Sequence, residues 1–327
     1  MAKIRVLSGA DVRHAVTMAE AIQAVREAYV QLSAGQAVVP LRTPVPVEEH
    51  KGVTLFMPAY LAESEALGAK VVSVFPDNVQ RNLPTIHALV IVVDAQTGRP
   101  VALMDGTYLT ALRTGAASGV ATDLLARRDA RVAAIFGAGA QARTQLEAMC
   151  AVRDIKKTWV FDAVPGAAAA YATEMRALGR PILVAASAAQ AVREADVICT
   201  ATTSAVPVFD AADVRPGTHI NGIGSYTPQM QEVPAATVAK AKVVVDSRSA
   251  SLAEAGDLII PLTEGLIGQD HVYAEIGEVA AGILPGRTSD DEITFFKSVG
   301  VAVQDVAVAA LVLRRAAEMG VGVEVEL

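Results

Sequence analysis

Apolar and polar positions follow two different periods along this chain, and the change from one to the other divides it. After Val6 and Leu7, the stretch Thr17-Met-Ala-Glu20 has the form of a capping box and opens a 3.6-residue pattern that reaches about Leu32 and stops at Gly35. From Val38 to Val93 short β-type runs follow (Val53 to Phe56, Ala69 to Val74, His87 to Val93), punctuated by prolines and glycines, which predicts a mostly antiparallel sheet. Val93-Asp-Ala-Gln-Thr-Gly98-Arg-Pro-Val-Ala-Leu103 reads as a hairpin, two apolar strands around a polar turn closed by glycine. Small and apolar residues at helical spacing from Leu112 to Ala126 predict a helix leading out of this region. Beyond it strand and helix alternate: Val132 to Phe136, a helix from Ala140, Thr158 to Phe161, a helix through Met175, Ile182 to Val184, a helix near Ala191, then Val197 to Cys199. Such alternation predicts a parallel, doubly wound α/β sheet, with further strands at His219 to Asn221 and Val243 to Val245 and a closing apolar helix from Val301 to Met319.

Composition narrows the class. At 327 residues the chain exceeds the roughly 250 at which single cores stop growing, so two domains are expected. A hydrophobic fraction of 52% against 19% charged residues describes a packed protein, not a disordered one. The net charge of -7, without a run of Lys or Arg, speaks against nucleic acid as a partner. Cys150 and Cys199 lie in apolar segments, which excludes a disulfide framework and fits a reducing, cytoplasmic setting. The opening Met1-Ala-Lys-Ile-Arg-Val-Leu lacks the apolar stretch of a signal peptide, and no apolar run reaches the ~18 residues of a membrane span. The five histidines show no metal-ligand spacing, so no metal is assigned.

The chemistry begins at Phe136-Gly137-Ala138-Gly139-Ala140-Gln141-Ala142, a G-x-G-x-x-A turn between a strand and a helix. The first glycine permits the tight turn, the second lets a pyrophosphate approach the backbone, and the small third residue allows close helix–strand packing. The helix amino terminus adds free N–H donors. Asp162, at the end of the next strand and twenty residues after Ala142, suits the adenosine ribose hydroxyls. Ala163, Val164 and Pro165 follow it with no arginine for a 2′-phosphate, which favours NAD, with NADP as the alternative.

Three cations stand among apolar or small neighbours: Arg42 in Leu41-Arg-Thr-Pro, Lys70 in Gly68-Ala-Lys-Val-Val, and Arg113 in Thr110-Ala-Leu-Arg-Thr. Buried cations need an anion, either a structural ion-pair partner or a substrate carboxylate. Arginine offers a bidentate fork, and a desolvated lysine exchanges protons nearer neutrality.

With these residues in view the chain resembles the ornithine cyclodeaminase/μ-crystallin family over nearly its whole length. The resemblance rests on Met57-Pro58, Gly68-Ala-Lys70, Leu83-Pro-Thr85, Asp94-Ala-Gln-Thr-Gly98, Leu103-Met-Asp-Gly106, Thr110-Ala-Leu-Arg-Thr114, Gly137-Ala-Gly-Ala-Gln-Ala142 and Phe296-Lys-Ser-Val-Gly300, in that order. It implies a homodimer in which an α+β domain (1–117 with 303–327) builds the interface and substrate pocket, and a Rossmann domain (118–302) holds the cofactor. It also implies roles for residues: Arg42, Lys70 and Arg113 as holders of the substrate carboxylate, Met57 and Thr85 as pocket lining, and Thr114, Val299 and Gly300 near the nicotinamide. Thr200, Ala201 and Thr202 complete the expected cofactor set.

The family's cyclodeaminases carry an aspartate after the strand matching Thr218 to Asn221, where this chain reads Gly222-Ile-Gly-Ser225-Tyr-Thr-Pro228. Ser225 is expected at that place, beside substrate and cofactor, and a hydroxyl cannot replace a carboxylate as general base. Unless Glu232 or another carboxylate reaches in, this points to an imine or amino acid oxidoreductase, a ketimine reductase or alanine dehydrogenase, acting on a small imino acid. The alternatives are a cyclodeaminase-type lyase and a cofactor-dependent ligand-binding protein of the μ-crystallin type.

Overall fold

The computed structural model describes residues 3–326. Two compact units divide at Arg113/Thr114 and Gly300/Val301, the first built from both ends of the chain and the second from its middle.

The first unit contains β1 (Lys3–Leu7), α1 (Gly9–Ala15), α2 (Met18–Ser33), β2 (Ala37–Val38), β3 (Thr43–Val47), β4 (Gly52–Leu61), β5 (Ala66–Val74), β6 (Ile86–Asp94) and β7 (Pro100–Asp105). A helix, α3 (Gly106–Leu125), follows β7 and continues into the second unit. That unit runs β8 (Val132–Phe136), α4 (Ala140–Val152), β9 (Lys157–Phe161), α5 (Ala167–Glu174), β10 (Ile182–Val184), α6 (Ala188–Glu194), β11 (Val197–Thr200), β12 (His219–Gly222), α7 (Ala235–Lys240), β13 (Lys242–Val245), α8 (Arg248–Glu254), α9 (Gly256–Thr263), β14 (Val272–Glu275), α10 (Ile276–Ala280) and β15 (Thr294–Lys297). The chain then returns to the first unit with α11 (Ala302–Met319) and β16 (Val323–Glu326).

In the first unit the strand order is β16-β1-β7-β6-β5-β4-β2, with β3 also on β4. All pairs are antiparallel except β1 with β7. The register stacks Met57, Lys70, Val90 and Met104 in one row across the sheet. Two amphipathic helices cover that face: α2 buries Ile22, Val25 and Tyr29, and α11, which buries Val303, Val306 and Val312, packs against α2, β4, β5 and β6. The capping box of α2 is formed as its spacing predicts, with the Glu20 carboxylate accepting from the Thr17 N–H at 2.9 Å and the Thr17 hydroxyl accepting from the Glu20 N–H at 3.3 Å.

Two elements differ from their expected limits. α3 begins at Gly106, six residues before Leu112, because the Asp105 carboxylate at the end of β7 accepts the Tyr108 N–H at 2.8 Å and starts the helix at once. Arg113 is therefore inside α3 rather than near its start. β3 carries Pro44 and Pro46, which cannot donate to a ladder; it survives as an edge strand paired only with β4.

In the second unit all eight strands are parallel, in the order β10-β9-β8-β11-β12-β15-β13-β14. β8 lies between β9 and β11, so the chain winds outward in one direction from β8 and then in the other. A doubly wound sheet opens a crevice at the carboxyl ends of its strands where this reversal occurs. Phe136, Ala134 and Ile198 are buried along the strands beside it.

Candidate active site

The crevice at the ends of β8, β9 and β11 is a cavity of about 550 Å³ lined by Gly137, Gly139, Asp162, Ala201, Thr202 and Ser204, among others. Gly137 has φ +90°, and a Cβ there would lie 2.6 Å from the Ala201 carbonyl, so only glycine makes this turn. Gly139 caps α4 without a side-chain bond, and the place its Cβ would fill is open. The Asp162 carboxylate accepts the Ala138 N–H at 2.6 Å and the Val164 N–H at 2.7 Å, fixing the glycine turn to the end of β9; each oxygen keeps a lone pair for a further donor. Gln141 Oε1 is buried and has no hydrogen-bond partner among the described residues. An open cradle over a helix amino terminus, an adjacent carboxylate and an unmatched acceptor fit a dinucleotide's pyrophosphate and ribose. Thr200 closes β11, and Ala201 and Thr202 continue as a wall of the cavity.

In the first unit, the row across the sheet brings Lys70 beside Met57, both buried. Lys70 Nζ lies 2.9 Å from Asp305 Oδ1 in an aligned hydrogen bond, and 2.8 Å from Oδ2 as an ion contact without hydrogen-bond alignment. Arg113 Nε donates to the same Oδ1 at 3.0 Å, and its terminal nitrogen donates to Gln304 Oε1 at 2.6 Å. The Gln304 amide donates in turn to the Tyr29 hydroxyl. Two cations therefore share one carboxylate in a site where Lys70 is 1% and Asp305 0% exposed. Burial and the like charges of Arg113 and Arg42 outweigh the pull of Asp305, and bring the Lys70 pKa down to about 8. Arg42, half-buried, precedes Thr43, which pairs with Phe56 next to Met57. Thr85 immediately precedes β6, where its carbonyl accepts the Phe75 N–H at 2.8 Å.

Thr114, Ser225, Val299 and Gly300 belong to the second unit. Gly300, at φ +82°, donates its N–H to Asp246 Oδ2 at 2.7 Å, and the Ser298 hydroxyl donates to the same oxygen at 2.8 Å. Ser225 is turned inward. Its hydroxyl donates to the Met230 carbonyl at 2.7 Å, whereas Tyr226 beside it is 43% exposed. Glu232 is also enclosed, with its carboxylate accepting from Thr200, Thr202, Gly224 and Ser225.

Asp305 and Gln304 were not among the residues expected from the sequence. Their signal is two polar residues on the apolar stripe of α11, between Val303 and Val306. Lys297, buried between β12 and β13 on β15 and paired with Asp257 at 3.1 Å, is a second such case.

A sequence profile of the ornithine cyclodeaminase/mu-crystallin family matches residues 3–320. The chain belongs to this family. It is 43% identical to a Delta(1)-pyrroline-2-carboxylate reductase of Bacillus cereus, over 98% of this chain and 99% of that protein. It is 40% identical to the alanine dehydrogenase of Archaeoglobus fulgidus, over 98% of both. Among solved structures, the Delta(1)-pyrroline-2-carboxylate reductase of Thermococcus litoralis, in complex with NADH and L-proline, superposes with a TM-score of 0.96 at 47% identity, over 98% of this chain and 100% of the other.

Proposed function

We propose that this protein is an NADH-dependent reductase of small cyclic imino acids, with Δ1-pyrroline-2-carboxylate as its substrate and proline as its product. The observation that carries the reading is the buried trio of Lys70, Arg113 and Asp305, in which two cations share one carboxylate and the lysine has a pKa of about 8. A substrate carboxylate completes that charge balance, and Arg113, Lys70 and Arg42 hold it. NADH, when bound in the crevice, would supply the hydride for the imine carbon. Lys70, as an ammonium whose proton is held less tightly than an ordinary lysine's, delivers the proton that the ring nitrogen takes up, so C=N becomes CH–NH. Asp305 and Gln304 hold Lys70 and Arg113 in place, and Met57 packs beside the lysine. Holding the imine carbon in line is worth several kcal/mol of barrier.

On the cofactor side, Gly137, Ala138, Gly139, Ala140 and Gln141 take the pyrophosphate and Asp162 the ribose. Thr114, Thr200, Ala201, Thr202, Ser225, Val299 and Gly300 act toward the nicotinamide half, and Thr85 and Gly300 toward substrate. The lyase reading is weakened because the Ser225 hydroxyl is committed to Met230 and the Glu232 carboxylate is enclosed by donors, so neither offers this loop a free base.

The outer face of the first unit's sheet supports a homodimer. Phe56, Val71 and Leu89 form an apolar row there, with Phe56 45% and Leu89 39% exposed. A known relative is described as an alanine dehydrogenase dimer with bound NAD. The free thiols Cys150 and Cys199 suit a reducing, cytoplasmic setting.

The test is turnover of Δ1-pyrroline-2-carboxylate, pyruvate with ammonia, and ornithine, each with NADH and with NADPH. The expected result is stoichiometric NADH consumption and proline formation with the cyclic imine. Ammonia release from ornithine with no net change in NADH overturns it.

A further inference from the structure

Behind the wall of the dinucleotide cavity the second unit buries two carboxylates, Glu232 and Asp257, against one ammonium, Lys297, all three 0% exposed. Burying a surplus anion costs several kcal/mol unless donors surround it. Here they do, and they come from two separate loops. Glu232 Oε1 accepts the Thr202 N–H at 2.6 Å and its hydroxyl at 2.7 Å; Oε2 accepts the Thr200 hydroxyl at 3.0 Å, the Gly224 N–H at 2.6 Å and the Ser225 N–H at 3.1 Å. One carboxylate thus ties the loop after β11 to the loop after β12.

The tie is tight. A Cβ on Gly224 would lie 2.1 Å from the Thr202 carbonyl, so the loops meet backbone to backbone and only glycine fits. Glu232 is itself held: Asp257 Oδ1 accepts the N–H of Glu232 at 2.7 Å and of Val233 at 3.0 Å, and Lys297 Nζ donates to Asp257 Oδ2 at 3.1 Å. At the other end of the chain of contacts, the Thr202 methyl would lie 2.9 Å from a Cβ on Gly137, the glycine that makes the pyrophosphate turn. The route from Lys297 through Asp257, Glu232 and Thr202 to Gly137 is continuous.

We propose that Glu232 is a positioning residue for the dinucleotide, fixing Thr202 against the glycine turn so that the cavity is formed before the cofactor arrives. This rests on the NADH reading above. A glutamine has the same size, but its NH2 must face an N–H or hydroxyl donor of one loop, so the two loops are no longer held together.

The experiment is NADH binding by fluorescence titration, with steady-state kinetics, on wild type, Glu232→Gln, Glu232→Asp and Thr202→Val. Glu232→Gln is expected to raise the NADH Kd at least about tenfold, equivalent to about 1.4 kcal/mol. At saturating NADH the KM for the imine moves by less than about threefold, a split that general loosening of the fold does not produce. Glu232→Asp, one methylene too short to span both loops, fails to restore the affinity. Thr202→Val removes only one hydroxyl and raises Kd about threefold, and it decides the matter should Glu232→Gln not fold. Wild-type Kd values, within a factor of two, in both Glu232→Gln and Thr202→Val overturn the proposal while leaving the NADH reading intact; wild type that binds no NADH overturns both.

Discussion

In the first unit two cations, Lys70 and Arg113, share the carboxylate of Asp305; in the second, two carboxylates, Glu232 and Asp257, lie near one ammonium, Lys297, which among the described residues pairs with Asp257 alone. Both clusters are buried and neither is balanced by its own ion pairs. The surplus anion is answered inside the protein by five N–H and O–H donors, although burial and the Asp257 charge still hold Glu232 above the ordinary glutamate range. The surplus cation shows instead in Lys70, whose pKa is depressed to about 8. A cluster closed by backbone donors braces loops. One left short of an anion is ready to receive it.

The sharpest way to break this contrast is to remove the shared anion of the first cluster. Asp305→Ala leaves two buried cations unpaired and is expected to cost about 3–5 kcal/mol of stability by denaturant unfolding. Asp305→Asn keeps the shape, and imine kcat/KM is expected to fall by about 100-fold or more while NADH affinity is retained. An equal loss of NADH affinity would show that the two clusters are not functionally separate.

A smaller effect sharpens the same point with a neutral group. His219 is wholly buried, bonded to the Thr294 hydroxyl at 2.9 Å and to Asn221 Oδ1 at 3.2 Å, and burial together with Arg287 brings its pKa down to about 3. The unfolded chain binds this proton near pH 6.5 and the folded one does not, so stability is complete above that pH and declines as pH falls toward 3. Unfolding at pH 7 and pH 5 is expected to differ by about 2 kcal/mol from this residue alone. His219→Gln should lessen that slope.

The smallest effect is at the surface. Thr17→Ala removes the α2 capping box, and a loss of about 1 kcal/mol is expected in thermal unfolding.

These regions also differ in how far the sequence reveals them. The alternation of strand and helix, the glycine turn with Asp162, and the Thr17 capping box are local patterns, and they are legible because each is stabilised by residues a few positions apart. β3 was not, since Pro44 and Pro46 mimic a loop and only its place at the sheet edge tolerates them. The cations Lys70 and Arg113 stood out as charges among apolar neighbours, but their partner Asp305 lies 235 and 192 positions away. Periodicity marks it as one polar residue on a buried stripe and says nothing of what it faces. Ser225 shows the limit at a single position: the sequence places a hydroxyl in the loop after β12 and does not reveal that it donates to the Met230 carbonyl within that loop.

The most direct test of the cationic cluster is the pH dependence of kcat/KM for imine reduction at saturating NADH, in wild type and Lys70→Arg. This parameter reports groups on the enzyme before the imine binds. The ammonium form is present below its pKa and lost above it, so wild type is expected to decline as pH rises through about 8. Lys70→Arg, which stays charged across that range, should lose that limb and about 100-fold or more in rate. An unchanged alkaline limb in the variant, or a rate within threefold of wild type, would contradict the account.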